Sequence, residues 1–227
     1  MKVSIIIPTY NEKENIPLIC NGISDQLKKD WDYEIIFVDD NSPDGTSLEI
    51  RSQAQFDPRL KLVKRPGKLG LGSAIVRGFE EATGDYWVMM DADMSHRPED
   101  LPRMLSALST VDIAIGSRYV PGGSTPNWPY HRRITSRFAS WLARYILDLD
   151  IMDLTTGFLG FRSDRIRNVL PLLNPKGFKI GLEILAKSSH LSHKEIPIEF
   201  VDRLYGKSKM SMGEVITFIK LCLKLRK

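Results

Sequence analysis

Cysteine is scarce in this 227-residue chain: two occur, Cys20 and Cys222, far apart, in apolar surroundings and in no CxxC pair. That excludes a disulfide framework or a thiolate metal site and points to buried free thiols in a reducing compartment. Histidine is also sparse, with four, and His131, His190 and His193 lack the spacing of a metal cluster. Long apolar runs are missing too. No stretch reaches the roughly 18 apolar residues of a membrane span. Met1-Lys2 leads straight into a strand-like run ending in Pro8, without a signal-peptide pattern. No GxSxG elbow, P-loop or Ser/His/Asp nucleophile arrangement occurs, and no internal repeat or low-complexity segment. These absences leave a cytoplasmic location as the expectation, either free or peripheral on the cytoplasmic face of a membrane.

The chain is 42% hydrophobic and 26% charged, with a net charge of +4. That composition is ordinary for a soluble globular protein of one domain, or one domain with an appendage. The positive balance fits phosphorylated ligands, an anionic membrane or nucleic acid. Arg118, Arg132, Arg133, Arg137, Arg203, Lys207 and Lys209 fall outside the regular apolar runs. A nucleic-acid binder more often carries a basic stripe with aromatics, so no nucleic-acid partner is expected.

Short β-branched runs alternate with helical spacing. Strands are predicted over residues 3–8, 33–38, 60–63, 86–90 and 111–116, and helices over 15–29, 46–56 and 73–82 and from Pro98 onward. Nearly continuous apolar strands between helices indicate a parallel sheet covered on both faces. Ligands of such sheets bind at the carboxyl ends of the strands. The polar punctuation falls there: Thr9-Tyr10-Asn11-Glu12, Asp39-Asp40, Asp91-Ala92-Asp93 and Ser117-Arg118. Further on, residues 121–127 read as a loop long enough to act as a lid. Helices at 131–147 and 176–190 and a strand near 194–201 follow. Residues 212–227 mix apolar residues with Lys220, Lys224, Arg226 and Lys227. This last helix either lies on an anionic membrane or packs on the core.

Two carboxylates at i and i+2 after a buried strand can bring a hard divalent cation to phosphate oxygens, with Ser95 and His96 completing or supporting the site. The alternative is that one caps the helix near Pro98 and the other is solvated. Asp39 either meets a ribose or base, or organises a turn; for Asp40 and Asp44 turn chemistry is the preferred reading. Gly70-Leu71-Gly72 either presents N–H groups to phosphate or is a flexible lead-in to a helix.

In order along the chain stand Pro8-Thr9-Tyr10-Asn11-Glu12, Asp39 through Thr46, Leu69-Gly70-Leu71-Gly72, Asp91-Ala92-Asp93-Met94-Ser95-His96 and Gly116-Ser117-Arg118-Tyr119. Later come Arg132 to Ser136, Asp153 to Phe158, Lys176 to Lys179 with Glu183, and Val201 through Lys209. Jointly they resemble the family 2 inverting glycosyltransferases of the GT-A fold, and within them the dolichol-phosphate (polyprenol-phosphate) mannose synthases. The resemblance implies a catalytic domain over 1–210 and an amphipathic helix over 211–227. It implies transfer of mannose from GDP-mannose to dolichyl or another polyprenyl phosphate at a membrane surface, with a small membrane-anchoring subunit as a further partner. Pro8, Tyr10, Glu12 and Asp39 would then bind the nucleoside. Asp91, Ala92 and Asp93 would face the diphosphate, with Asp91, Asp93 and Ser95 around Mg²⁺ or Mn²⁺. Arg118, Arg132, Arg203 and Lys209 would hold phosphates, with Ser136 beside them; Asp93, Arg118 and Arg132 carry the catalytic expectation. Ser95 stands where some relatives have Gln, and Leu159 where many have Arg. The rival readings are a related enzyme with another donor such as UDP-glucose, a non-catalytic nucleotide-sugar-binding subunit, and a nucleotidyltransferase.

Overall fold

The apolar runs become strands because β-branched residues pack well on a pleated surface, and alternate residues serve opposite faces. The computed structural model describes residues 1–175, 179–201 and 212–226, with the backbone alone over 212–216. In chain order the elements are β1 (Lys2–Thr9), α1 (Ile16–Leu27), β2 (Asp32–Asp39), α2 (Thr46–Ala54), β3 (Leu60–Lys64), α3 (Leu71–Glu81), β4 (Tyr86–Met89), α4 (Leu101–Ala107), β5 (Ile113–Ser117), α5 (Tyr130–Leu147), β6 (Leu159–Arg162), α6 (Ser163–Ile166), α7 (Ile180–Lys187), β7 (His193–Pro197) and α8 (Met212–Leu225).

One seven-stranded sheet runs in the order β3-β2-β1-β4-β6-β5-β7. Every pairing is parallel except those of β6, which lies antiparallel between β4 and β5. The mostly parallel sheet was expected; β6 was not. Its four residues, Leu-Gly-Phe-Arg, are too few for alternation to show in sequence, and it follows a turn-rich segment. Pro8 lies beyond the last β1–β4 rung, Ile6 with Met89, so its missing N–H interrupts no bond on that side.

Alternation sorts the core into two layers. Val3, Ile5 and Ile7 with Ile35 and Phe37 face α1 and α4, through Ile19, Ile23, Leu101 and Leu105. Ile6, Ile36 and Trp87 face α3, α7 and α8, through Phe79, Ile184, Phe218 and Cys222. The expected lid over 121–127 is tied down. Ser124 N–H donates to Ile198 O at 3.0 Å, and Phe200 N–H donates to Ser124 O at 3.0 Å. Trp128 beside it is buried. α8 turns Phe218 and Cys222 into the core while Lys220, Lys224 and Arg226 face outward. Among the described residues no helix is long and apolar enough to cross a membrane.

Candidate active site

The parallel register puts the carboxyl ends of β1, β2, β4 and β5 on one sheet edge, so Thr9, Asp39, Asp91 and Arg118 converge there from four strands. Non-glycine residues with positive φ mark three of the edge loops: Asn11 at 60°, Asn41 at 55° and Met94 at 63°. Asparagine tolerates that region; for Met94, in the Asp91–His96 turn, it is strain held by the surroundings.

Asp39 is fully buried. Its Oδ1 accepts the hydroxyls of Thr9 (3.1 Å) and Ser42, and its Oδ2 accepts Ser42 N–H (3.0 Å) and Ser47 Oγ (2.6 Å). Four donors fill its lone-pair directions, which is the turn-organising alternative, so a nucleoside would have to displace a serine hydroxyl to reach it. Asp40 is more than a turn former. Buried, it pairs with the buried Arg65 guanidinium and accepts Gly70 N–H at 3.0 Å, while Arg65 donates to Gly70 O at 2.9 Å and to Ser73 Oγ at 2.6 Å. Asp44 behaves as the turn residue expected, accepting Thr46 N–H at 2.9 Å.

Asp91 projects a carboxylate that is 39% exposed. It lines a cavity of about 220 Å³, shared with Leu71, Ile75, Met89, Gly157 and Lys179. A Cβ on Gly157 would sit 3.2 Å from His96 Cε1 and 3.7 Å from Asp91 Oδ2, so a larger residue would crowd the space beside the carboxylate. Asp93 is buried, and its Oδ1 accepts both the N–H (3.1 Å) and the hydroxyl of Ser95. Ser95, expected as a metal ligand, is fully buried and donates both groups to the Asp93 carboxylate. His96 is buried and stacked on Phe158, with centroids 5.2 Å apart. Burial pushes its imidazole pKa down against the opposing pull of Asp91 and Asp93, and its Nδ1 accepts Asp91 N–H at 3.0 Å. The ring is therefore a neutral support for the turn. The Ala92 side chain lies in the core, so the expected contact with the diphosphate falls to its backbone.

Arg118 was expected to grip phosphate. In the structure its fork holds Asp153, with Nε and Nη2 each 2.7 Å from a carboxylate oxygen, and both residues are buried. Burial alone would raise the Asp153 pKa; the charge and hydrogen bonds of Arg118 outweigh it and hold the carboxyl below its ordinary range. Sequence reading named Asp153 without a role. A buried arginine at a strand end requires an anion somewhere, but nothing local says it lies 35 positions on. Arg132 stands 3.8 Å over the Trp128 ring, and Ser136 accepts the Tyr119 hydroxyl at 2.6 Å. Tyr10 lies under Lys68 Nζ at 3.9 Å, and Glu12 accepts Asn15 Nδ2 at 2.6 Å. Pro8 is half-buried in β1. Arg203 and Lys209 lie outside the described residues.

The edge therefore offers hard oxygen ligands, a cavity and flanking arginines, a combination suited to a divalent cation with a phosphorylated ligand. Among solved structures, the fold is similar to glucosyl-3-phosphoglycerate synthase from Mycobacterium tuberculosis in complex with Mn²⁺, uridine diphosphate and glucosyl-3-phosphoglycerate. The TM-score is 0.68 at 18% identity, over 99% of this chain and 78% of that one. It is also similar to a Pyrobaculum calidifontis mannosyltransferase in complex with GDP-Man and Mn²⁺, with a TM-score of 0.64 at 19% identity over 90% and 57% of the two chains. These likenesses concern the fold, which is of the GT-A type. In sequence the chain is 41% identical over 230 residues to a dolichol-phosphate mannosyltransferase of Pyrococcus furiosus, covering 100% of this chain but 64% of that relative's length. It is 41% identical over 221 residues to an undecaprenyl-phosphate mannosyltransferase of Micrococcus luteus, covering 95% and 90%. The model of glycosyl transferase family 2 matches residues 4–170, and the chain belongs to that family.

Proposed function

We propose that this chain transfers mannose from GDP-mannose to a polyprenyl phosphate, dolichyl or another, with inversion and with Mg²⁺ or Mn²⁺ held at Asp91 and Asp93. The observation that carries the reading is the partly exposed Asp91 carboxylate on the parallel edge, beside Gly157, with the Ser95-braced Asp93 two residues on. The residues fit a hard cation: carboxylate oxygens beside a cavity, with the buried His96 accepting the Asp91 backbone N–H. Bound there, the metal would neutralise the diphosphate and favour its departure.

The lipid phosphate is a monoester with a second pKa of about 6, so it is largely dianionic at neutral pH and already nucleophilic. One of its oxygens forms the bond to the anomeric carbon as the bond to the GDP oxygen breaks, and GDP leaves with that electron pair. A single displacement converts an α-linked donor into a β-linked mannosyl phosphate without a dedicated base. Holding two anions in line is then the protein's task. Arg132, stacked on Trp128, supplies positive charge there, and the buried Arg118–Asp153 pair positions the β5 end. The support for mannose and a lipid phosphate comes from the relatives' activities.

Radiolabelled GDP-mannose and dolichyl phosphate, with UDP-glucose as a parallel donor, test the reading. Metal-dependent, butanol-extractable label from GDP-mannose is expected; label from UDP-glucose alone would reassign the donor, and none from either overturns the enzyme. Asp93→Ala is expected to lower turnover by about a thousandfold while circular dichroism stays unchanged.

A further inference from the structure

A lone aromatic residue closing a strand reads in sequence as core packing, and Phe200 has that place, just past β7. In the structure it is half-buried, and the backbone around it is tied on two sides. Phe200 N–H donates to Ser124 O at 3.0 Å, and Val201 N–H donates to Ser95 O at 3.4 Å. The segment thus bridges the 121–127 loop and the Asp91–His96 turn.

The Phe200 ring meets three groups of the site at once. The His96 ring lies 5.3 Å away at 74° and the Trp128 ring 5.4 Å away at 82°, both edge-to-face. The Arg118 guanidinium stands 5.3 Å from its centroid. These are the separations of favourable aromatic and cation–π contacts. His96 in turn accepts the backbone N–H of Asp91 at 3.0 Å, and Trp128 carries Arg132 at 3.8 Å over its face. One ring therefore touches Arg118 directly and reaches Asp91 and Arg132 through a single intermediary each. It lines neither the cavity at Asp91 nor the basic one at Arg118, Arg133 and Arg137, so its influence passes through its neighbours.

Asp91 follows β4, Arg118 follows β5 and Arg132 lies in α5. An in-line displacement needs their charges at a fixed separation, and a misplacement of about 1 Å can cost about a hundredfold in rate. Close-packed rings cannot move independently, so a shift of one is passed to the others. We infer that Phe200 is a positioning residue that sets the separation between the Asp91 carboxylate and the arginines Arg118 and Arg132. The inference rests on the transfer reaction proposed above and adds the group that keeps its two anion-binding halves in register.

The test compares wild type with Phe200→Leu, which removes the flat ring, keeps apolar bulk and leaves the backbone bonds of residues 200 and 201 possible. With GDP-mannose and a short, water-soluble prenyl phosphate, kcat is expected to fall about tenfold or more. KM for each substrate should stay within about twofold, as befits lost alignment with binding retained. An unchanged kcat, or a loss confined to one KM, overturns the inference. Calorimetry supplies a readout that needs no turnover, with the prenyl phosphate titrated into protein with and without Mg²⁺ and GDP. Wild type is expected to bind it about fivefold tighter in their presence, and Phe200→Leu nearly equally in both states. No such linkage in wild type, or the same ratio in both proteins, overturns the inference as well. Ile198→Val trims one buried methyl group two residues earlier and leaves every ring in place. It should lower the melting temperature while kcat and the binding ratio hold; if it reproduces the Phe200→Leu effects, the role is structural only and the inference fails. Phe200→Met, which keeps more volume, serves the same comparisons if Phe200→Leu melts below the assay temperature. If wild type transfers no mannose, the enzymatic reading fails, and the binding ratio still decides the role of Phe200.

Discussion

At Asp93 a single neighbouring residue, Ser95, fixes the orientation of the carboxylate. Ser95 donates its N–H and Oγ–H to one oxygen of Asp93 from a fully buried position. Residues that orient a metal-binding carboxylate typically carry a 10- to 100-fold share of affinity. Ser95→Ala is accordingly expected to raise the metal concentration needed for half-maximal activity by about tenfold, with the fold intact; an unchanged metal titration would remove the bracing role. Glu34 is a purely structural counterpart. Burial works against its charge, but hydrogen bonds from Lys61, Ser4 and Thr83 outweigh burial and bring its pKa from 4.5 to about 2. Because the folded value is the lower one, its stabilisation is complete above about 4.5 and is lost as pH falls toward 2. Glu34→Gln should flatten the loss of stability in that window, as followed by urea unfolding at successive pH values. An identical pH slope would contradict the assignment.

Among the elements, the start of α3 is the most constrained. Gly70 has φ 98° and ψ 158°, a conformation essentially reserved for glycine. Its N–H goes to Asp40 and its C=O receives Arg65, so a buried ion pair clamps both backbone polar groups of one residue. The clamped segment continues into Leu71, which lines the Asp91 cavity. Asp40→Asn should cost about 3–5 kcal/mol by stranding a buried guanidinium. The paired replacement Asp40→Leu/Arg65→Met should recover most of that stability and still weaken GDP binding by about tenfold, because the clamp on Gly70 is gone. Wild-type affinity in the double variant would confine the pair to stability. Sequence reading placed Asp40 in a turn because its partner follows a different strand, and local turn statistics cannot see across strands.

Over the whole molecule, the chain's last helix returns to the sheet. Phe218 packs in the layer that contains Phe79, Trp87 and Ile184. Phe218→Ala should cost about 3 kcal/mol in urea unfolding. A near-neutral effect would mean that α8 is an appendage and not part of the core.

Much of this arrangement was legible before any coordinates. Apolar runs of β-branched residues admit little but buried strands, and alternation with helical segments forces parallel connections. The edge positions of Asp39 and Asp91 follow from that alone, because acidic residues ending such runs can only emerge at the carboxyl rim. What the chain could not announce locally are relations between segments distant in sequence. These are β6 slipped antiparallel between β4 and β5, Asp153 closing on Arg118, Ser95 turned behind Asp93, and α8 claimed by the core while α5 is left exposed. Each is settled by which surfaces find partners once the sheet has formed. Hydrophobic periodicity tells a residue that it must be buried or paired; only tertiary packing decides against what.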